Sequence, residues 1–157
     1  MPEPDWHIRR ADWERDLPRL RAIREAVFVR EQRVPLDEEW DAADPGALHL
    51  LAELAYGTPI GIVRLLPDGQ IGRMAVVAPW RGRGVGGALL SAILEVIRDG
   101  DHPTPFLNAQ LQAIPFYRRH GFRERGGVFL EAGIEHRRME MPALTAMESE
   151  AKAVSPR

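Results

Sequence analysis

A short cationic segment rich in glycine is the first feature of this sequence that could do chemistry. Residues 80–90 read WRGRGVGGALL, in which two arginines and four glycines come directly before an apolar stretch. A helix that begins here would present unpaired amide hydrogens and a partial positive charge at its N-terminus. Since glycine has no Cβ, a phosphate oxygen can approach those amides closely. The segment therefore predicts a site for a pyrophosphate or a similar polyanion, rather than a simple turn with solvated arginines.

Two nucleotide-binding motifs share part of this pattern, but their surroundings differ. Gly82–Gly87 matches G-x-G-x-x-G, which in a dinucleotide-binding fold follows an early strand and precedes, by about 20 residues, an acidic residue at the end of the next strand. Here three apparent strands come first, and the acidic residue at that distance, Asp101, lies in a turn. A P-loop needs Gly-Lys-Ser/Thr, whereas the only lysine is Lys152. We therefore expect neither dinucleotide-dependent redox chemistry nor P-loop chemistry.

The hydrophobic pattern predicts the elements that position this segment. Short apolar runs at residues 47–54, 60–66 and 71–77 predict a three-stranded antiparallel meander directly before it. Apolar residues at steps of three and four from Val85 predict a helix up to Asp99. The remaining predicted elements are a strand at 6–10, a helix with apolar residues at Trp13, Leu17, Leu20, Ile23 and Val27, a loop or short broken helix at 29–46, a strand at 104–109, a short helix within 112–122 and a strand at 134–141.

Composition limits the protein class. The chain has 157 residues, of which 45% are hydrophobic and 28% charged, so we expect one soluble domain at 1–141 and a poorly anchored tail at 142–157. The net charge of −2 disfavours nucleic acid and membrane partners, and the absence of cysteine excludes thiolate chemistry. No histidine spacing predicts a metal site. Because the first residues lack an apolar run, we expect a cytoplasmic protein.

Several segments in order resemble one family. The strand IGRMAVV, the loop Arg81–Gly86 with its Q/R-x-x-G-x-G/A signature, and NAQLQAIPFYRRHGF downstream are similar to the GCN5-related N-acetyltransferase (GNAT) superfamily. The flanking segments VFVREQRVPLDEEWDAADPGALHLLA and FLEAGIEHRRMEM resemble a small bacterial subgroup, so the likeness covers roughly residues 8–141. It implies an α+β fold: a mixed, mostly antiparallel sheet of six or seven strands, about four helices, and a V-shaped splay between the fourth and fifth strands.

The resemblance also implies where acetyl-CoA, the co-substrate, would bind. The backbones of Met74, Ala75 and Val76 would line the cleft for the pantetheine arm. The pyrophosphate would be held by the loop, and two downstream residues would meet the cofactor from the other side. The cofactor-binding residues beyond the strand are Arg81, Gly82, Arg83, Gly84, Val85, Gly86, Gly87, Asn108 and Phe116.

Tyr117 matches the tyrosine that commonly serves this family as general acid, protonating the departing thiolate. Its alternative role is aromatic packing in a short helix. A general base must also face the cleft, and we weigh Glu31, Glu38, Glu39, Glu131, His49, His120 and His136. We expect Glu38 and Glu39 to form a solvated face, His120 to end a helix, and His49 to be a satisfied strand histidine. Glu131 and His136 remain the catalytic candidates.

The implied activity is transfer of an acetyl group to a primary amine of a small molecule or peptide, with direct attack in a ternary complex. Glu31 and Gln32 are the candidate acceptor-binding residues, in a segment whose acidic groups would favour a cationic partner if they face inward. The alternative is a non-catalytic CoA-binding sensor or scaffold. Dimers are common in the superfamily, so a homodimer is compatible with the resemblance.

Overall fold

A seven-stranded sheet forms the body of the protein in the computed structural model, which describes residues 5–141. The strands are β1 (Trp6–Ala11), β2 (Leu48–Leu54), β3 (Pro59–Leu65), β4 (Gln70–Val76), β5 (Phe106–Gln110), β6 (Arg123–Glu131) and β7 (Ile134–Glu140). Their order is β1-β2-β3-β4-β5-β7-β6, and only the β4–β5 pair is parallel. The predicted α+β fold is confirmed, and the predicted tail at 142–157 lies outside the described residues.

Helices cover both faces of this sheet. They are α1 (Leu17–Arg24), α2 (Leu36–Glu39), α3 (Val85–Asp99) and α4 (Ile114–Arg119). Side chains of β2 alternate between two apolar layers: Leu50 and Ala52 belong to the layer with α3, whereas Leu51 belongs to the layer with α1. No helix within residues 5–141 is long and apolar enough to cross a bilayer.

The first helix differs from its prediction at both ends. Trp13 precedes α1 and packs against the rings of Trp40 and His49. After α1 the backbone widens into a π-helical turn, Glu25–Glu31. Such a turn contains one more residue than an α-helical turn, which rotates the side chains that follow, and it is frequent at functional sites. The regular spacing of apolar residues gave no sign of it.

Strand β6 is the element that the hydrophobic pattern did not predict. Every residue of β6 except Glu124 is exposed, and β6 lies at the edge of the sheet. A strand without a buried face shows no alternation of apolar and polar residues. It is therefore defined by its pairing with β7 and has no signature of its own in the sequence.

Strands β4 and β5 pair at two positions and then separate. The pairs are Gln70↔Phe106 and Ile71↔Leu107, and within the described chain no further pairing joins the rest of the two strands. On the other edge of β4, two residues, Arg73 and Met74, stand opposite the single β3 residue Val63. This bulge bends β4 locally. The predicted V-shaped splay between the fourth and fifth strands is confirmed.

The splay leaves backbone groups of Val76 facing away from β3. The Val77 amide donates to the Ile60 carbonyl at 3.0 Å, which makes Ile60 and Val77 a hydrogen-bonded pair. Because such pairs alternate along an antiparallel ladder, the neighbouring Val76 directs its amide and carbonyl to the opposite side, into the splay. By the same alternation the backbone of Ala75 faces Ile62 on β3. Val76 therefore offers the cleft a donor and an acceptor that Ala75 does not.

Helix α3 begins at a glycine that needs its special backbone freedom. Gly84 caps the helix in the left-handed region, with φ 86°, and its carbonyl accepts the amide of Ala88 at 3.0 Å. No side chain caps this end of the helix. The amides of Val85, Gly86 and Gly87 precede the first intrahelical donor, so they lack helical acceptors and are open to a ligand.

A buried ion cluster ties residues 36–46 to helix α1. Arg24 is 1% exposed, and its guanidinium donates to the carboxylate and carbonyl of Glu39 and to both carboxylate oxygens of Asp44. The Trp40 ring covers it, with its centroid 4.2 Å from the Arg24 guanidinium carbon. Within the loop or broken helix predicted at 29–46, residues 36–46 are thus a short helix and a turn that Arg24 ties to α1.

Two further arginines extend the cluster from the sheet. Arg64 donates to Asp44 at 2.9 Å and to Asp41 at 3.1 Å, and Arg73 on the bulge donates to the Glu39 carbonyl and to Asp41. The prediction that Glu39 belongs to a solvated face is wrong: Glu39 is 2% exposed, and burial raises the pKa of its carboxyl. It is buried because Arg24 neutralises it from within the core.

Arg24→Met is expected to lower the free energy of unfolding by about 3–5 kcal/mol, because the carboxylates of Glu39 and Asp44 stay buried while the cation they share is lost and only Arg64 and Arg73 remain beside them. Arg21→Met on the same helix is the matched control and should cost less than about 1 kcal/mol, since Arg21 is exposed and makes only a long ion pair with Glu25 and a 5.4 Å contact with the Trp40 ring. Urea denaturation measures both changes. Equal losses for the two variants would show that the cluster does not stabilise the fold.

Gly84→Ala is expected to lower the free energy of unfolding by about 1 kcal/mol, because alanine strains a left-handed backbone even though its Cβ would meet no atom within 4 Å. Gly86→Ala, two residues later, should be neutral or stabilising by up to about 1 kcal/mol, since its Cβ would make ordinary 3.8 Å contacts inside a helix. Chemical denaturation compares the pair. If both variants match the wild type, the strained cap is not required.

Candidate active site

The splay opens into one large cavity of about 970 Å³. Strand β4, the first residues of α3, strand β5 and helix α4 form its floor and one wall, and the π-helical turn with residues 34–41 forms the other. Most of the predicted site residues line it: Glu31, Gln32, Met74, Ala75, Val76, Arg81, Gly86, Asn108, Phe116, Tyr117, Glu131 and His136. The same cavity thus collects residues from segments that are distant in the chain.

The N-terminus of α3 forms one end of this cavity. Gly86 lines it beside Val76 and the Phe116 ring, each 3.8 Å from where a Cβ of residue 86 would stand. The other members of the predicted loop, Gly82, Arg83, Gly84, Val85 and Gly87, do not line it. Val85 is 1% exposed and packs in the core, so only its amide is available. These amides and the helix dipole make this end of the cavity attractive to an anion.

The two arginines of the glycine segment have different environments. Arg83 lies with its guanidinium carbon 4.9 Å from the centroid of the Trp80 ring. Arg81 donates through Nε to the Val76 carbonyl at 2.8 Å and through Nη2 to both carboxylate oxygens of Glu31, at 2.9 and 3.0 Å. Arg81 therefore joins a predicted cofactor-binding residue to a predicted acceptor-binding residue across the opening of the cavity.

Tyr117 meets the cavity as a half-buried ring on α4. Its ring packs edge-on against Phe116 and Phe122, at centroid distances of 5.1 and 6.1 Å. Tyr117 also lines the cavity, so it packs in the helix and is accessible to a ligand at the same time. Its hydroxyl has no hydrogen-bond partner in the described part of the chain. Burial raises the pKa of Tyr117 to about 12. The phenol is consequently protonated at neutral pH and free to donate.

Asn108, Glu131 and His136 meet on the β5–β7–β6 side. The Asn108 amide nitrogen lies 3.5 Å from one oxygen of Glu131, and His136 Nε2 lies 3.6 Å from the other. His136 Nδ1 is 2.6 Å from the Ile134 carbonyl, which can only accept, so Nδ1 carries a proton. In the neutral ring Nε2 is then the basic nitrogen. It faces the exposed carboxylate of Glu131 at the cavity.

The remaining base candidates have other partners. His49 is 4% exposed and its Nε2 contacts the Asp44 carbonyl at 2.8 Å, which confirms the prediction of a satisfied strand histidine. His120 follows α4, and its Nδ1 contacts the Phe116 carbonyl at 3.0 Å, as expected at a helix end. Glu38 is exposed, as predicted, and lines the cavity beside Asp41.

Sequence reasoning missed several polar residues that line the cavity. Gln110 donates to Gln32 at 2.9 Å and so links β5 to the end of the π-helical turn. Its position two residues after Asn108 in a strand places both on one face, a signal that could have identified it. Arg73 and Asp41 also line the cavity. No spacing in the sequence marks them, since one lies on a bulge and the other in a turn.

Comparison with known proteins assigns the family. The family model of the acetyltransferase (GNAT) domain matches residues 22–143 of this chain. A Bacillus subtilis protein, the uncharacterized N-acetyltransferase YjcF, is 39% identical over 121 residues, which cover 74% of this chain and 86% of that protein.

Solved structures share the fold. A candidate N-acetyltransferase from Lactobacillus plantarum superposes with a TM-score of 0.80 at 26% identity, covering 88% of this chain and 99% of that one. A GNAT family acetyltransferase from Brucella melitensis, solved in complex with acetyl-CoA, has a TM-score of 0.64 at 25% identity, covering 83% and 94%. With the domain match, the relative and the splayed sheet in agreement, this chain belongs to the GNAT acetyltransferase family.

Proposed function

We propose that the protein is an acetyl-CoA-dependent N-acetyltransferase that acts on a primary amine of a small molecule or peptide. The observation that carries the proposal is the cavity itself: open helix amides lie at one end, the unpartnered Tyr117 hydroxyl lies on one wall, and carboxylates border the other. These groups match the charges of an anionic donor and a cationic acceptor. The acetyl-CoA bound to the Brucella melitensis relative supports the choice of donor.

The donor would lie along the splay. Amides of Arg83–Gly87 would hold the diphosphate, with the Arg83 side chain nearby, and Asn108 and Phe116 would contact the arm from the β5 side. The strand residues Met74, Ala75 and Val76 line the same cleft. Because Val76 directs its amide into the splay, that amide is our candidate donor to the oxygen of the reacting carbonyl.

The chemistry requires little covalent help from the protein. A neutral amine attacks the thioester carbon, an N–C bond forms, and the C–S bond breaks as Tyr117 gives its proton to the departing sulfur. The nitrogen then loses the surplus proton that it carries after the attack, and this proton restores the Tyr117 phenol directly or through water. The proton lost by the ammonium group would pass to His136 Nε2 or to Glu131, directly or through water. The raised pKa of Tyr117, about 12, keeps its proton in place across the neutral range, so ionisation of Tyr117 should not limit the rate below about pH 11.

The acceptor side favours a cation. Glu31, Glu38, Asp41 and Glu131 all border the cavity, and Arg64, Arg73 and Arg81 offset only part of that charge. Glu31 and Gln32 are held at the end of the π-helical turn, where Gln110 fixes Gln32. An ammonium group would be drawn to this wall, whereas an acceptor with an uncompensated carboxylate would be disfavoured.

Incubation with acetyl-CoA and a panel of primary amines tests the activity. We expect release of free CoA thiol that depends on the amine and is fastest with cationic acceptors. Binding of acetyl-CoA without release of thiol by any amine would contradict catalysis and favour the sensor or scaffold role.

Tyr117→Phe is expected to lower kcat at least about tenfold and to leave the Kd for CoA nearly unchanged, because only the proton donor is lost. Tyr56→Phe is the matched control, since Tyr56 is the other tyrosine and is 95% exposed. Thiol release gives kcat and calorimetry gives Kd. Unchanged turnover in Y117F would remove Tyr117 from the mechanism.

A further inference from the structure

One arginine is bonded to groups that serve both proposed substrates. The Arg81 guanidinium holds the Glu31 carboxylate through Nη2 and the Val76 carbonyl through Nε. Fifty residues separate Glu31 from Arg81 in the chain. Glu31 ends the π-helical turn on the wall that carries the candidate acceptor-binding residues, and Arg81 lies near the start of the glycine segment. The pair therefore joins two sides of the cavity.

Both groups remain accessible to ligands. The side chains of Arg81 and Glu31 are 45% and 41% exposed, so the pair is well solvated and weak, worth at most about a fivefold change in an equilibrium. Both residues line the cavity. A ligand that offers Arg81 a stronger anion can therefore displace the carboxylate at small cost.

The backbone of Glu31 is held in place even if Arg81, the partner of its side chain, moves away. The next residue, Gln32, accepts from Gln110 on β5 at 2.9 Å, and its amide donates to the Val27 carbonyl at 3.0 Å. If Arg81 turns away, Glu31 consequently stays on the wall and presents an unneutralised carboxylate to the cavity. The same movement releases the Val76 carbonyl, which faces the splay.

We propose that Arg81 is a positioning residue that changes its partner when the substrates bind: a diphosphate bound at the start of α3 draws Arg81 from Glu31, and Glu31 then binds the acceptor ammonium. This rests on the proposed function. In the free chain, Arg81 masks the carboxylate that selects a cationic acceptor and the carbonyl that a bound acyl-carrying arm would use. Because the linkage is reciprocal, an ammonium group on Glu31 also releases Arg81 and strengthens binding of the anionic donor.

The competition predicts an unusual gain of affinity. Glu31→Gln frees Arg81, so CoA should bind about two- to fivefold more tightly than it binds the wild type. Glu25→Gln is the matched control: it lies in the same π-helical turn and also pairs with an arginine, Arg21, but does not line the cavity. Its Kd for CoA should equal that of the wild type. Calorimetric titration with CoA measures all three proteins.

A double-mutant cycle separates exchange from a general charge effect. In the Arg81→Gln background, Glu31→Gln should no longer tighten CoA binding, because the competing pair is already absent. Removal of a negative charge alone would tighten binding equally in both backgrounds and would overturn the exchange. Unchanged or weaker binding by E31Q in the native background would likewise overturn it, and would mean that the pair organises the loop for CoA.

The acceptor side gives a second readout. With an amine that supports thiol release and at saturating acetyl-CoA, E31Q should raise the KM for the amine at least about fivefold while kcat changes less than twofold. A fall in kcat without a change in KM would overturn the assignment of Glu31 to acceptor binding. If the wild type binds CoA but E31Q shows neither tighter CoA binding nor a raised KM, the exchange alone is refuted. If none of the proteins binds CoA, the proposed function is refuted as well.

Discussion

The separation of β4 from β5 after two paired residues is the constraint on which the rest of the site depends. Inside a sheet, backbone amides and carbonyls ordinarily bond to the neighbouring strand, and leaving them without a partner in a dry interior costs free energy. Here the bulge at Arg73 and Met74 bends β4, and the backbone of Val76 faces an opening. That opening can be filled by an extended ligand that supplies the missing bonds, and Arg81 supplies one of them in the free chain.

A buried ion cluster and an exposed ion pair lie beside this opening, and the difference in burial gives them different roles. The Arg24 cluster is removed from water, so breaking it would leave uncompensated charge in the core. The cluster therefore stabilises the wall of the cavity that residues 34–41 form. The Arg81–Glu31 pair is exposed, so it can exchange partners at little cost. The wall thus combines a rigid frame with one contact that a ligand can replace.

Local sequence patterns sufficed to predict the meander, helix α3 and the glycine-rich start of that helix, because each depends on neighbouring residues: alternation in strands, apolar spacing in the helix, and glycines before it. Other features depend on residues distant in the chain. Arg24 meets Asp44 across 20 positions, and Arg81 meets Glu31 across 50. The spacing of residues in the sequence indicates neither pairing. Because it also gives no sign that Arg24 binds Glu39, the sequence alone predicts Glu39 on a solvated face. The π-helical turn and the largely exposed strand β6 likewise lack a periodic signal.

Whether the free amides at the start of α3 bind a diphosphate is tested most directly by calorimetry with two ligands. CoA carries the diphosphate and pantetheine lacks it, whereas both carry the arm that would lie in the splay. We predict that CoA binds and that pantetheine binds at least about tenfold more weakly, since the helix amides and the arginines have no anion to hold. Equal affinities, or no heat with CoA, would contradict a diphosphate site at the start of α3.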